Sequence, residues 1–315
     1  MSTEDTASKE DNDVSVCANC GKSEEESHKL KNCTACKLVK YCNRECQIAH
    51  RPQHKKECKK KAKELYDEKL FKQPPNPYED CPICFLRMPT LETGRRYQTC
   101  CGKKICSGCC YAPVYDNQGN EVDNQKCAFC RTRAPDTIEE MIEWLLKRME
   151  VNDADAINTT GCNYRDGRYG ITQDYDKALE LFHRAADLGY AEAYLNIGYA
   201  YINGDGVEVD EKKAIHYFEL GAMGGDATAR SNLGYNEHNA GNMEKAIKHY
   251  TIAVRSGDAD SLERIKELYT DGHASKDDYT KALRSYQAYL GEIKSTQRDE
   301  AAAFHEEYRY HGSGL

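Results

Sequence analysis

Four pairs of metal-binding side chains open the chain: Cys17-x2-Cys20, Cys33-x2-Cys36, Cys42-x3-Cys46 and His54-x3-Cys58. Thiolate sulfur and neutral imidazole nitrogen are zinc ligands, and eight of them are enough for two tetrahedral sites. The last two pairs have i,i+4 spacing, which puts both side chains of each pair on one helix face. A second cluster follows, with Cys81-x2-Cys84, then Cys100, Cys101, Cys106, Cys109 and Cys110 in "CCGKKICSGCC", then Cys127-x2-Cys130. Cys81, Cys84, Cys106 and Cys109 make one complete site. Cys127 and Cys130 need two partners, and Cys100 and Cys101 stand ahead of Cys106 to supply them. Lys103 cannot, since a charged lysine has three donors and no lone pair. Adjacent cysteines point in different directions in extended chain, so joint ligation needs a turn, which Gly102 allows. Cys110 as fourth ligand, or a three-coordinate site completed by water, are the alternatives. About four zinc ions are expected.

Seventeen cysteines in 315 residues could instead make a secreted disulfide protein, and sixteen of them fall between Cys17 and Cys130. The start, "MSTEDTASKEDNDVS", lacks a basic-then-apolar signal pattern, and no apolar run of 18 residues follows. An intracellular chain, cytoplasmic or nuclear, is therefore expected, where thiols stay reduced and clustered CxxC pairs bind metal. With 39% hydrophobic and 30% charged residues, small metal-bound modules and repeats fit better than one large core. Residues 17–72 carry a net charge of +7 and residues 136–315 a net charge of −13. Such asymmetry fits different partners at the two ends, or simply solvated helix faces.

The elements that must hold these ligands are mainly helical. Past Cys58, "KKKAKELYDEKLFK" continues a helix until "QPPNP" stops it. Its lysines carry no interleaved aromatics, so they read as a solvated face and nucleic acid is not expected. His50 and His28 read as surface residues. Between Cys109 and Cys127, "VYDNQGNEV" reads as two short strands around a turn. "PDTIEEMIEWLLKRMEV" opens a helix with Asp136 or Thr137 as N-cap, and Trp144 joins its packed face. From about residue 153 the chain repeats itself. Lys-Ala anchors recur at Lys177-Ala178, Lys213-Ala214, Lys245-Ala246 and Lys281-Ala282, spaced 36, 32 and 36 residues apart. Each unit reads as two helices with small residues at their crossing and Gly at the end. Tyr194, Tyr199, Tyr201, Tyr217 and Tyr250 read as repeat core, and Cys162 as a small buried residue. No phosphate-cradling loop, nucleophile–base pair or carboxylate dyad stands out.

The order of pairs over 17–58 resembles the MYND zinc finger. The resemblance implies interleaved sites: Cys17, Cys20, Cys42 and Cys46 on one zinc, Cys33, Cys36, His54 and Cys58 on the other. It also implies a shallow groove for short proline-containing peptides. Gln47 matches the family pattern, whereas Arg51 stands where the family usually has Trp. Residues 81–130 resemble an all-cysteine RING finger, which implies Cys100, Cys101, Cys127 and Cys130 as the second site of that module. In RING ubiquitin ligases, Ile83 and Arg131 occupy positions that touch the ubiquitin-conjugating enzyme, and catalysis is positioning without a nucleophile. Residues 153–291 resemble four Sel-like repeats (SLR), relatives of tetratricopeptide repeats, which implies a superhelix with a concave protein-binding face.

The expected architecture is mainly α: two small zinc-stabilised fingers, then an αα-repeat solenoid. Its order is a disordered acidic tail (1–16), the first finger (17–58), a helix and Pro-rich linker (59–77), the second finger (78–135), a connecting helix (136–152), the repeats (153–291) and a capping helix with tail (292–315). The expected function is a scaffold or adaptor for proteins or peptides. The alternative is a ubiquitin ligase whose repeats recruit substrate. No membrane partner is expected.

Overall fold

The computed structural model describes residues 15–24, 29–112, 114–115, 121–122 and 126–312. The acidic tail before residue 15, His28 and the turn at 116–120 lie outside them. The chain divides into two compact units, Met1–Leu70 and Phe71–Leu315.

In the first unit, β1 (Lys31–Asn32) pairs antiparallel with β2 (Lys40–Tyr41), and α1 (Arg44–Leu70) follows directly. The helix starts where the Asn43 side chain accepts the Cys46 N–H at 2.8 Å. It then carries Cys46, His54 and Cys58 along its length and runs through Pro52. The buried core is Cys17, Leu30, Cys33, Cys36 and Tyr41. Three of the five are cysteines, so apolar burial alone cannot hold this unit together.

The second unit begins with a cysteine module. In it β3 (Arg95–Gln98) pairs antiparallel with β4 (Lys103–Cys106), which leads into the short α2 (Ser107–Tyr111). The strands expected within "VYDNQGNEV" are β5 (Val114–Tyr115) and β6 (Glu121–Val122), an antiparallel pair. The connecting helix α3 (Ile138–Glu150) is capped by Thr137, whose side chain accepts the Glu140 N–H at 3.2 Å.

Eight helices then form the solenoid: α4 (Ala154–Asp166), α5 (Tyr175–Asp187), α6 (Ala191–Asn203), α7 (Glu211–Met223), α8 (Ala227–Asn239), α9 (Met243–Arg255), α10 (Ala259–Thr270) and α11 (Lys276–Ile293). Aspartates cap five of them, Asp153, Asp174, Asp210, Asp226 and Asp258, each accepting an N–H three residues on. The anchor alanines Ala178, Ala214, Ala246 and Ala282 are all buried. The first three lie on the second helix of the tight pairs α4/α5, α6/α7 and α8/α9, and Ala282 lies on α11, which follows α10. The reason is steric. A Cβ on Gly161, Gly198 or Gly234 would stand 2.7, 2.4 and 2.6 Å from the rings of Phe182, Phe218 and Tyr250. Each first helix therefore gives up a side chain so that the aromatic of the second can seat against its backbone. In the fourth pair Lys266 takes the glycine position, which is where the repeat pattern degenerates.

The last helix, α12 (Thr296–Phe304), read from sequence as a solenoid cap, packs Ala302 against the α9–α11 core and also packs closely on α2 of the cysteine module. Gly108 makes this approach possible, since a Cβ there would lie 2.7 Å from the Arg298 nitrogen. The module is further tied to the solenoid by opposite charge. Lys104 Nζ reaches Asp155 at 2.5 Å and the Tyr190 hydroxyl at 2.7 Å. Arg95, its side chain only 7% exposed, pairs with Glu192 at 3.7 Å and donates to the Tyr78 hydroxyl at 2.8 Å. Arg87 pairs with Glu292. A cavity of about 440 Å3 remains between Tyr78, Arg95, the first helices of the repeats and Tyr310.

Asp226 lies in that cavity wall, almost fully buried, and caps α8 through the Ala229 N–H. Burial raises its carboxyl to about 7 despite that N–H. Its folded pKa thus exceeds its unfolded value, so its contribution to stability is full below about pH 4 and is lost as pH rises through 7. Asp226→Asn keeps the cap and removes the titration. Its stability gain over the native chain is expected to grow by about 1.4 kcal/mol per pH unit between pH 4 and 7, then level off. Denaturant midpoints at pH 5, 6, 7 and 8 measure this, and a difference that ignores pH contradicts it.

Candidate metal centres

Four of the five CxxC pairs are presented by the same turn, while Cys106 and Cys109 sit where β4 runs into α2. The residue after the second cysteine takes a left-handed conformation: Gly21, Lys37, Phe85 and Arg131 all have φ between 57 and 70°. Its N–H donates to the carbonyl of the first cysteine, Cys17, Cys33, Cys81 and Cys127 respectively, at 2.8–3.0 Å. Three of these four are not glycine, so the turn holds them against an intrinsic cost. Backbone N–H groups inside such turns point at sulfur. Burial opposes ionisation of Cys33, yet the Cys36 and Ala35 N–H groups bring its thiol down to about 6.

Four clusters result, in each of which all ligand atoms lie within 4.8 Å of one another: Cys17, Cys20, Cys42 and Cys46; Cys33, Cys36, His54 and Cys58; Cys81, Cys84, Cys106 and Cys109; Cys100, Cys101, Cys127 and Cys130. A zinc–sulfur bond of about 2.3 Å places sulfurs about 3.8 Å apart across a tetrahedron. Cys20 and Cys42 sulfurs stand 3.6 Å apart, Cys33 and Cys58 3.7 Å, Cys84 and Cys106 3.8 Å, Cys101 and Cys127 4.0 Å. Cys36 Sγ and His54 Nε2 are 3.1 Å apart. No pair is a disulfide. In the second cluster burial pushes the Cys58 thiol up to about 12 while Cys33 is held low. Crowded thiols cannot all ionise unaided, and a dication at the centre removes that conflict. The donors and spacings fit four zinc ions.

Cys100 and Cys101 both turn toward Cys127 and Cys130, because Cys101 and Gly102 N–H groups close a turn on the Gln98 carbonyl and Gly102 takes φ 69°. Cys110 stays outside, its sulfur near the Ile105 carbonyl, and burial pushes its thiol up to about 12. Lys103 points away, toward Glu79 at 3.5 Å. Cys162 belongs to no cluster and packs in the first repeat, where the Asn196 amide donates to it at 3.9 Å. Ile83 is 37% exposed, and Arg131 is exposed without an ion-pair partner among the described residues. Beside them Phe85 is 76% and Phe129 43% exposed.

Two supporting groups were not legible as such. His50, read as surface, is half-buried. Its Nδ1 meets the Tyr41 hydroxyl at 3.0 Å, and its ring stacks on ligand His54 at 5.6 Å. Histidine four residues before a ligand histidine on one helix was the available signal. Arg298, from the far end of the chain, is fully buried against the third cluster. It donates to the carbonyls of Arg87 (3.0 Å) and Ile293 (2.5 Å) and to Cys84 Sγ at 3.8 Å. Four thiolates around Zn2+ carry an excess of two negative charges, and the guanidinium offsets part of it.

Family models match at both ends. The MYND finger covers residues 17–58, and the Sel1 repeat covers 154–190, 191–226 and 229–258. Among solved structures, a Sel1 repeat protein from Oxalobacter formigenes is 30% identical, over 55% of this chain and 67% of that one, with TM-score 0.44. The protective antigen c5321 of uropathogenic Escherichia coli, with an SLR fold, is 20% identical over 56% and 42%, TM-score 0.43. Immunity protein Pa5087 from Pseudomonas aeruginosa is 23% identical over 54% and 63%, TM-score 0.36. The chain thus spans less than half the length of the second. No curated protein matches. No helix among the described residues is long and apolar enough to cross a membrane.

Proposed function

As the chain is a Sel1 repeat protein that carries a MYND finger, we propose that it is a zinc-dependent scaffold joining protein partners held by its two arms. The observation that carries this reading is the pairing of two interaction modules in one chain, with four donor clusters suited to zinc fixing the finger and the second cysteine module. The ligands are proposed as the sixteen residues of the four clusters. Zinc here supplies folding energy and charge neutralisation; contacts are made by the chain's own surfaces. Stacked repeats present an extended face for a protein partner. The second cysteine module occupies part of the solenoid surface, through Arg87 at Glu292, Arg95 at Glu192 and Lys104 at Asp155.

A second reading has the second module recruit a ubiquitin-conjugating enzyme. The exposure of Ile83, Phe85 and Arg131 favours it. A guanidinium suits several simultaneous hydrogen bonds across such a contact. One experiment separates the two: discharge of ubiquitin from a panel of charged conjugating enzymes by the zinc-loaded full chain, beside Ile83→Ala and Arg131→Ala at equal zinc content. Absence of stimulation across the panel, together with protein partners lost separately on Cys36→Ser, which dismantles the finger, and on substitution of the repeats, supports the scaffold. Stimulation that both variants abolish replaces it with the ligase.

A further inference from the structure

The first unit holds a cavity of about 450 Å3 along α1, floored by Tyr41, Gln47 and Ile48. Its inner end is the second metal cluster, through Cys33, His54 and Cys58; outward of it Arg44, Arg51, Lys55 and Lys59 line the cavity, and no carboxylate does. Positions 44, 48, 51, 55 and 59 step by three or four, so these side chains share one helix face. All four cations are exposed, and none has an ion-pair partner among the described residues. The unit's ion pairs lie elsewhere, at Lys40–Glu24 and Lys61–Glu64. Four like charges around one concave surface repel each other, and an anionic guest relieves this. Ile48, 59% exposed amid them, offers an apolar contact.

We propose that this cavity binds an acidic extended peptide whose carboxylates meet Arg44, Arg51, Lys55 and Lys59 while an aliphatic side chain rests on Ile48. The inference rests on the reading of this finger as an interaction module and names its ligand class. From Arg44 to Lys59 a helix rises about 22 Å, the reach of about seven extended residues. Nucleic acid is the poorer guest, because the one aromatic of the floor, Tyr41, is only 3% exposed and offers no stacking platform.

The test uses the zinc-loaded full chain and three fluorescein-labelled probes: the heptapeptide EDLEDLE, its amide counterpart QNLQNLQ, and a thymidine heptanucleotide. The pocket variant is Arg51→Glu with Lys55→Glu. The control is Lys56→Glu with Lys60→Glu, which makes the same charge change on residues outside the cavity lining. Anisotropy is expected to show the acidic peptide bound, with the amide peptide and the pocket variant each weaker by at least about tenfold, and the control within about twofold. Equal loss in both variants, equally tight nucleotide binding, or no binding of the acidic peptide with four zinc equivalents present overturns the proposal. Partners that depend on the repeats are untouched by any of these results, so the scaffold reading is judged separately.

Discussion

Cys106→Ser is expected to melt the second cysteine module and so to lower the zinc content from four equivalents to two, since both of its clusters share one core. Cys81, Met88, Ile105, Cys106, Cys109 and Cys127 are its buried core. Only Met88 and Ile105 of these are apolar residues other than cysteine, and they bring about 3–6 kcal/mol by burial. A structural zinc supplies about 10–16 kcal/mol of apparent binding energy that doubles as folding energy. Losing one of two adjacent sites therefore exceeds what the remaining core offers. The solenoid has its own buried aromatic and aliphatic clusters, so its helices persist. Zinc analysis, far-ultraviolet circular dichroism and limited proteolysis read the result: cleavage between residues 72 and 135, with most helix signal retained. Cys162→Ser, outside every cluster, is expected to keep all four zincs. Retention of four by Cys106→Ser would remove Cys106 from the ligand set.

Arg298→Met is expected to loosen one zinc of the four without removing any ligand. The guanidinium bridges the Arg87 and Ile293 carbonyls and the Cys84 thiolate from a fully buried position. Methionine fills much of the volume but leaves two carbonyls and a negatively charged cluster without their donor. Groups supporting a metal ligand change affinity by about 10–100-fold, and removing one partner of a buried charge pair costs about 3–5 kcal/mol. A chromogenic chelator added to the full chain should show one zinc equivalent released faster than the other three, with a lowered thermal midpoint. Arg298→Lys should recover part of the release rate, since it restores charge without the planar fork. Uniform release of all four in Arg298→Met would mean that Arg298 only packs α12 against α2.

The ligand pairs, the i,i+4 spacing at Cys42/Cys46 and His54/Cys58, and the anchor alanines were written in the chain because each depends on residues close in sequence. A CxxC turn, an aspartate cap and a helical period are local devices whose geometry follows from a few backbone angles. Choice between Cys101–Cys100 and Cys110 was not local. It required the turn on Gln98 that swings both neighbours to one side and leaves Cys110 beneath Ile105. The glycine slots at 161, 198 and 234 were visible as glycines, but the rings that need them sit on the following helix. Least legible was the reach of the C-terminus back to the third cluster. Arg298 is separated from Cys84 by 214 residues, and nothing in "STQRDEAAAF" distinguishes a buried arginine from a solvated one. Burial of a charge is decided by what surrounds it in space. Here a carbonyl pair and four clustered sulfurs make a desolvated guanidinium favourable, and only the fold brings them together.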